Sequence, residues 1–361
     1  MERVISALSY IKARIQESTF QMRHKTSPQA FSKEGKICFE KVMVFVLSRV
    51  NTLLDFEILN FCEKQGMNRF AKSAMVEARK KVAYGAFREL LQNIAQILPK
   101  DRLFKGYQLV ATDGTDLQLP KSPANMTIYG TKKDKCNWPR AHVVSQYDVL
   151  NKFYLDATFE PYPCDERQSA ISMLDNSFTM QPQIHLLDRR FPSIGLIQKL
   201  NDMDKKFVIR VPKTFSSEVI AFKESDEEDV TTTITYTKSR TRTNRTSKAL
   251  RLPYRFDIRF VKFILESGEE EILMTNLYSD EFSKDDLYTL YGLRWGVETS
   301  YNHQKNRSLV EQWGSVLANS LKQEFYASLI RHNLTSLMRE SAQEVYDKKN
   351  CIASLLSTNT I

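Results

Sequence analysis

From about residue 105, the spacing of apolar residues changes from a helical period towards alternation, which restricts the folds available to the chain. Three strand-like segments come first, at 107–112, 141–147 and 152–159, with a turn around Asn151 between the last two. Helix-like and strand-like segments then alternate, at 166–178, 183–188, 193–201 and 206–211. Three strands followed by alternating helices and strands predict a mixed α/β sheet.

The order of these segments is typical of a ribonuclease H-like sheet, and the flanking regions differ from it in pattern. Residues 1–100 show helical spacing and little Gly or Pro. We therefore predict a helical, DNA-binding domain at 1–100 and a first part of the ribonuclease H-like core at 101–212. A β-rich insertion at 213–282 is predicted to precede helices at 283–345 that complete the core, and 346–361 to form a short tail.

Two basic segments could contact a nucleic acid. The turn signal at 64–67 lies between a helical segment and a basic helix predicted at 68–81, and this order is typical of a helix-turn-helix. An ordinary helical hairpin has the same pattern. The segment 238–248 has five cations interleaved with hydroxyl residues, among them Arg240 and Arg242. This composition suits phosphate contacts without base reading, although an exposed basic loop would look the same.

Composition favours a polyanionic partner in a reducing compartment. The 361 residues include 52 Lys and Arg against 43 Asp and Glu, a net charge of +9. The five cysteines lie far apart, which argues against a disulfide framework or a zinc site. The start of the chain lacks the apolar core of a signal peptide, and no segment is long enough to span a bilayer. We expect a cytoplasmic protein with no nucleotide cofactor, since a Gly-rich phosphate loop is missing.

Acidic residues at strand ends are candidate metal ligands. Asp113 is predicted to end the first strand, where the following Gly would leave a cleft open, although Asp-Gly is also an ordinary turn dipeptide. Asp188 is predicted to end a later strand. Four other acids fit surface charges equally well, and each histidine fits a structural role better than a metal site; the four acids are Asp116, Asp148, Asp156 and Glu166.

A third carboxylate lies in a helical segment that extends from about 285 to 309. At about 100° per residue, Tyr291, Arg294, Glu298 and Lys305 fall within an arc of about 60°. The neighbouring arc carries apolar residues that can pack on the sheet, namely Leu290, Leu293, Val297 and Tyr301. One stripe thus presents a carboxylate, two cations and a phenol, although a surface helix with an Arg294–Glu298 ion pair is an alternative. For Trp295, at the edge of the stripe, packing is favoured over DNA contact.

The spacing of Tyr291, Arg294, Glu298 and Lys305 resembles the Y-R-E-K signature of insertion sequence 4 family transposases. Asp113-Gly-Thr, Leu187-Asp-Arg and Thr275-Asn-Leu occur in the order found in that family. The resemblance covers residues 40–340. It implies a ribonuclease H-like catalytic domain in which two Mg²⁺ or Mn²⁺ ions bind to three carboxylates; these are Asp113, Asp188 and Glu298. Transposon-end phosphates would be bound by Tyr291, Arg294 and Lys305, with Arg189, Arg240 and Arg242 as further DNA contacts.

The function implied is a DDE transposase that cleaves and joins double-stranded DNA at the ends of an insertion sequence. The resemblance further implies a homodimer assembled on transposon-end and target DNA, in a bacterial nucleoid. Two alternatives remain open. One is a ribonuclease H-like nuclease without strand transfer. The other is a truncated, non-catalytic DNA-binding remnant, because family members usually carry more helix beyond the region that ends here soon after Ser341.

Overall fold

A computed structural model describes residues 2–32, 35–50, 52–131, 137–175, 181–237, 251–265 and 268–358, with side chains to residue 347. In these ranges, no helix is both long and apolar enough to cross a membrane. The basic segment predicted at 238–248, with Arg240 and Arg242, lies outside the described residues.

All named elements before residue 100 are helices, as the sequence predicts. They are α1 (Glu2–Gln16), α2 (Ser18–His24), α3 (Phe39–Ser48), α4 (Leu54–Lys64), α5 (Lys72–Lys80) and α6 (Gly85–Ile97). The turn after α4 contains Gly66 at φ +60°, a left-handed conformation that glycine adopts without a steric penalty. Helix α5 begins at Lys72 rather than near residue 68, so the basic helix is shorter than predicted.

Eight strands form one mixed sheet in the order β3-β2-β1-β4-β5-β8-β7-β6. Its first five members are β1 (Gln108–Gln118), β2 (Arg140–Asp148), β3 (Phe153–Pro161), β4 (Gln183–Leu187) and β5 (Lys206–Val211). β1, β2 and β3 pair antiparallel, whereas β4 and β5 run parallel to β1. Crossovers between the parallel strands contain α8 (Glu166–Asp175) and α9 (Ile194–Asp202), and a short α7 (Pro123–Tyr129) follows β1. This is the predicted ribonuclease H-like arrangement.

The β-rich region continues the central sheet. After α10 (Ser217–Glu224) come β6 (Asp229–Tyr236), β7 (Tyr254–Ile264) and β8 (Glu270–Thr275). β8 pairs antiparallel with β5, so all three strands extend the edge of the same sheet. The insertion therefore shares the backbone hydrogen bonding of the core, because the open edge of β5 supplies donors and acceptors that β8 satisfies.

Apolar cores lie on the two faces of the sheet. One contains alternate residues of β1 and β2, including Leu109, Ala111 and Val143, together with residues of the N-terminal helices and of the last helix. The other contains Val144 and apolar residues of α8, α9 and α10. Because successive side chains of a strand point to opposite faces, each residue of β1 faces one of these two helical layers.

The helical segment expected at 285–309 is two helices. α11 (Lys284–Leu293) begins with the predicted cap at Ser283, whose hydroxyl accepts from the amide of Asp286 in a capping box. α12 (Trp295–Asn306) follows after Arg294. The join contains i→i+3 hydrogen bonds, from Arg294 N to Tyr291 O and from Val297 N to Arg294 O, which tighten the chain locally. A single helical wheel therefore does not describe all four signature residues.

The final helix, α13 (Ala318–Thr358), is longer than predicted. It begins at Ala318 and extends through residues 346–358, which the sequence analysis assigned to a tail. Its buried residues, among them Phe325, Tyr326 and Ile330, pack with α6, α3 and β3. Burial against these elements stabilises its first half beyond what its local sequence pattern shows.

Candidate active site

Asp113 lies in the middle of β1. The prediction that it ends the strand is wrong, since pairing with β2 continues to Gln118. Gly114 lies in extended backbone within β1, so the Asp-Gly pair is not a turn here. The space around Gly114, rather than its backbone conformation, is what distinguishes this position. A Cβ at Gly114 would lie 2.8 Å from both Glu166 Oε1 and His142 Nε2. A side chain here would therefore require Glu166 and His142 to shift, because such a separation is below any ordinary van der Waals contact.

Helix α12 is fixed across the face of β1 that carries Asp113. The hydroxyl of Tyr301 donates to the carbonyl of Asp113 at 2.7 Å and accepts from the amide of Ser145 at 3.1 Å. Val297, one turn earlier, is fully buried. The predicted packing stripe of the helix is confirmed, and one of its members hydrogen-bonds to the backbone that bears Asp113.

Arg294 lies between two of the predicted carboxylates. Its guanidinium is 2.8 Å from Glu298 Oε1 and 3.9 Å from Asp113 Oδ2. The side chain is buried, yet its Nε and Nη1 have no hydrogen-bond partner. The cation also lies over the rings of Tyr291 and Trp295, at 5.7 and 5.1 Å from their centroids. A buried guanidinium with unsatisfied N–H groups can donate hydrogen bonds to further oxygen atoms.

Asp188 directly follows β4, as predicted. The parallel register places Leu187 beside Thr112, so the next residues of the two strands are Asp188 and Asp113. The carboxylate of Asp188 accepts from the amide of Arg190 at 2.5 Å, which holds it within its own turn. Neighbouring parallel strands therefore bring two aspartates from distant parts of the sequence to one edge.

The charge state of Asp113 reflects this arrangement. The pKa of its carboxyl is raised to about 6, mainly by burial and to a smaller extent by the negative charges of Glu298 and Asp188, whereas the Gly114 amide and Arg294 oppose the change. Asp113 thus responds electrostatically to both other predicted carboxylates. Perturbed carboxyl groups that share a partly buried position are typical of functional sites, although structural ion pairs can produce the same effect.

The remaining signature residues lie along the same region. Tyr291 is buried, which raises the pKa of its phenol to about 12. The ammonium group of Lys305 donates to the hydroxyl of Thr115 at 2.7 Å, two residues beyond Asp113 on β1, and burial lowers its pKa. Arg189, in the turn after Asp188, is exposed. Trp295 is 59% exposed, so the packing role favoured for it from the sequence is wrong.

The donor atoms have the chemistry of a divalent-metal site, but the described side chains do not form a closed one. Carboxylate oxygens are the ligands that Mg²⁺ and Mn²⁺ prefer, and the mutual repulsion that raises the pKa of Asp113 is what a cation would relieve. Among the described residues, no group of three His, Cys, Asp or Glu side chains is close enough to hold a metal ion.

The four acids interpreted as surface charges all have specific partners or are buried. Asp148 accepts from Asn151 and Gln108 at the β2–β3 turn, and Asp156 pairs with Arg88 of α6. The other two flank a histidine. His142 Nδ1 lies 2.7 Å from Asp116 Oδ1, and His142 Nε2 lies 3.0 Å from Glu166 Oε1.

Sequence reasoning missed this charged cluster of Asp116, His142 and Glu166. Asp116 and His142 are paired across antiparallel strands, and Glu166 begins α8, so no local spacing connects them. The sequence held one indication that Asp116 is not part of the proposed active site. Asp116 and Gly114 are an odd number of residues from Asp113, so in a strand they face the side opposite Asp113. Burial alone would lower the pKa of His142, but its hydrogen bonds to Asp116 and Glu166 raise the pKa to about 9.

Comparisons with known proteins agree with this architecture. The chain is 30% identical over 190 residues to the putative transposase InsZ of Escherichia coli K12; the alignment covers 48% of this chain and 59% of that protein. It is also similar to the structure described as the piggyBac transposase synaptic complex with hairpin DNA. The TM-score is 0.52 at 9% identity over 94% of this chain and 76% of that one, which shows a shared fold. Residues 104–334 match the family described as the transposase DDE domain, and the chain belongs to that family.

Proposed function

We propose that this protein is a DNA transposase of the insertion sequence 4 type, which cleaves DNA at the ends of an insertion sequence and joins them to target DNA. The observation that carries the proposal is the convergence of Asp113 and Glu298 on the buried Arg294, with Asp188 on the adjacent strand. Membership of the transposase DDE domain family supports the same reaction class.

Three carboxylates would hold the metal ions, namely Asp113, Asp188 and Glu298. Two bound Mg²⁺ or Mn²⁺ ions would supply Lewis acidity at the attacking and leaving oxygens of the phosphodiester. The raised pKa of Asp113 means that its ionised form is less favoured than that of an ordinary aspartate, and a bound cation would stabilise it. We therefore expect metal affinity to increase as the pH rises through about 6, where Asp113 loses its proton.

Cationic and phenolic groups beside these acids would orient the DNA end. Arg294 has two nitrogen atoms without hydrogen-bond partners and lies next to Glu298, so a phosphate oxygen could accept hydrogen bonds from these nitrogens. Lys305, now bonded to Thr115, and the phenol of Tyr291 would contact the same strand. Arg189 is exposed in the turn after Asp188 and would add a contact to the DNA backbone.

DNA outside the site would be held by basic surfaces of a homodimer assembled on the two ends. The basic helix α5 is a candidate, but Arg79 near its end is buried and pairs with Glu324 of α13. Its exposed lysines, Lys72 and Lys80, form surface ion pairs with Asp55 and Glu77, which phosphates could replace. The likeness to a transposase in complex with hairpin DNA supports DNA as the partner.

The test incubates purified protein with labelled DNA from the inverted repeats flanking the gene, a target plasmid, and Mg²⁺ or Mn²⁺. Wild-type protein should give cleaved and joined products, and Asp113→Ala, Asp188→Ala and Glu298→Ala should each abolish both. Asp285→Ala is the matched control, because it removes an exposed carboxylate from the start of α11. Cleavage without joining would identify a nuclease instead, and full activity of Glu298→Ala would refute the assignment of the site.

A further inference from the structure

The charged cluster of Asp116, His142 and Glu166 lies on the opposite face of β1 from Asp113. Asp113 contacts Arg294 and Thr115 contacts Lys305, whereas Asp116 bonds to His142, which bonds in turn to the first residue of α8. The cluster therefore does not point into the proposed active site. It is separated from it by a single strand.

Gly114 is where the cluster reaches the strand backbone. Glu166 Oε1 and His142 Nε2 occupy the space that a side chain of Gly114 would need, each 2.8 Å from the Cβ position. The two polar groups thus lie beside Gly114, the residue that follows Asp113. We expect a shift of Glu166 or His142 to loosen the packing of β1 at that position.

The same carboxylate also reaches the segment that bears Asp188. Arg190 Nη1 lies 3.8 Å from Glu166 Oε1, and the amide of Arg190 donates to the carboxylate of Asp188. The Arg190 side chain is exposed, so this ion pair is weak by itself. Glu166 thus lies beside Gly114 of β1 and pairs with Arg190 in the turn that carries Asp188.

His142 is the group that holds Glu166 in place. The other oxygen of Glu166, Oε2, is buried without a hydrogen-bond partner, and the contact of Oε1 with His142, at 3.0 Å, is shorter than its ion pair with the exposed Arg190. Two carboxylates face one imidazolium, and removing the imidazole would leave Asp116 and Glu166 to repel each other. An unpaired buried carboxylate is expected to turn towards solvent.

From these contacts we infer that His142 is a positioning residue, which fixes Glu166 against Gly114 and Arg190 and so sets the separation of Asp113 and Asp188. This inference rests on the proposed function, because it concerns the ligands of the proposed metal site. Groups that orient metal ligands typically change metal affinity or activity by about 10–100-fold when removed.

The experiment measures Mn²⁺ binding by electron paramagnetic resonance, with thermal unfolding of each protein recorded alongside. His142→Ala should raise the half-saturating Mn²⁺ concentration by about tenfold or more. Glu166→Ala should do the same, and is the safer variant because it lies at the start of a helix. His185→Ala is the matched control; it removes another buried histidine from the same sheet, one without a carboxylate partner.

A purely structural role predicts a different pattern. In that case His142→Ala, Glu166→Ala and His185→Ala would lower the unfolding temperature but leave the Mn²⁺ affinity of the folded protein unchanged, and this result would overturn the inference alone. Wild-type protein that binds no Mn²⁺ would overturn the proposed metal site as well. Binding of labelled end DNA should remain within about twofold of wild type in both variants, because neither residue lies on the face of β1 that carries Asp113.

Discussion

The charge on His142 should make part of the stability of the protein depend on pH. The pKa of about 9 in the folded protein lies above the ordinary imidazole value, because Asp116 and Glu166 stabilise the charged form more than burial destabilises it. The difference from about 6.5 corresponds to about 3 kcal/mol of folding free energy, at about 1.4 kcal/mol for each tenfold change in proton affinity. The side chain is only 11% exposed, so solvent screening reduces this value little.

The direction follows from the raised pKa. Below pH 6.5 the imidazole is protonated in both folded and unfolded chains, and the whole contribution is present. As the pH rises towards 9, the unfolded chain has lost its proton while the folded protein still holds it, and the contribution disappears. Besides Asp116 and Glu166, the charged groups near this cluster include Arg190, which keeps its proton throughout this range, and Lys305, which interacts electrostatically with Asp116.

Denaturant unfolding of wild type and His142→Gln at pH 6, 7, 8 and 9.5 would measure the effect. The variant has no imidazole to titrate, so the difference between the two proteins isolates His142. That difference should shrink by about 3 kcal/mol between pH 6 and 9.5. In parallel, the imidazole proton resonance that is lost in the variant should titrate near pH 9. A difference that stays constant with pH, or a midpoint near 6.5, would refute the electrostatic account.

Three further substitutions test other parts of the structure by denaturant unfolding. Ser283→Ala removes the cap of α11 and should cost about 1 kcal/mol, whereas Ser283→Asp should restore most of it. Gly314→Ala should destabilise by about 2–4 kcal/mol, because the new Cβ would clash with the buried guanidinium of Arg49; an unchanged midpoint would disprove the clash. Arg88→Ala should cost about 3–5 kcal/mol by leaving the carboxylate of Asp156 buried without its cation, and the double variant with Asp156→Ala should recover part of the loss.

The local pattern of apolar residues was sufficient to predict an element of secondary structure where burial imposes a period on the sequence. The alternation in β2 and β3, and the apolar run of β4 ending before Asp188, predicted the strands because each must hide one or both faces in a core. The cap at Ser283 was also readable, since its hydroxyl bonds to an amide only three residues away. The spacing of Arg294 and Glu298 similarly implies their ion pair, which is a contact within one helical turn.

Contacts between segments that are distant in the chain could not be predicted from the local sequence pattern. The extension of β1 past Asp113 depends on its pairing with β2. The extension of the sheet by β6, β7 and β8 depends on the open edge of β5. The length of α13 depends on the helices against which it packs. Each results from packing or hydrogen bonding across the fold, which carries no fixed spacing in the chain.

The sequence by itself determined which chemical groups the protein has for its proposed reaction and their order along the chain, including the four signature residues from Tyr291 to Lys305. The tertiary structure alone decided that Arg294 lies at a break between two helices, close to Asp113 as well as Glu298. It also decided that His142 and Glu166 occupy the space beside Gly114, on the face of β1 opposite Asp113. The physical reason is that a strand places neighbouring residues on opposite faces, so the groups that meet there come from elements far apart in the chain.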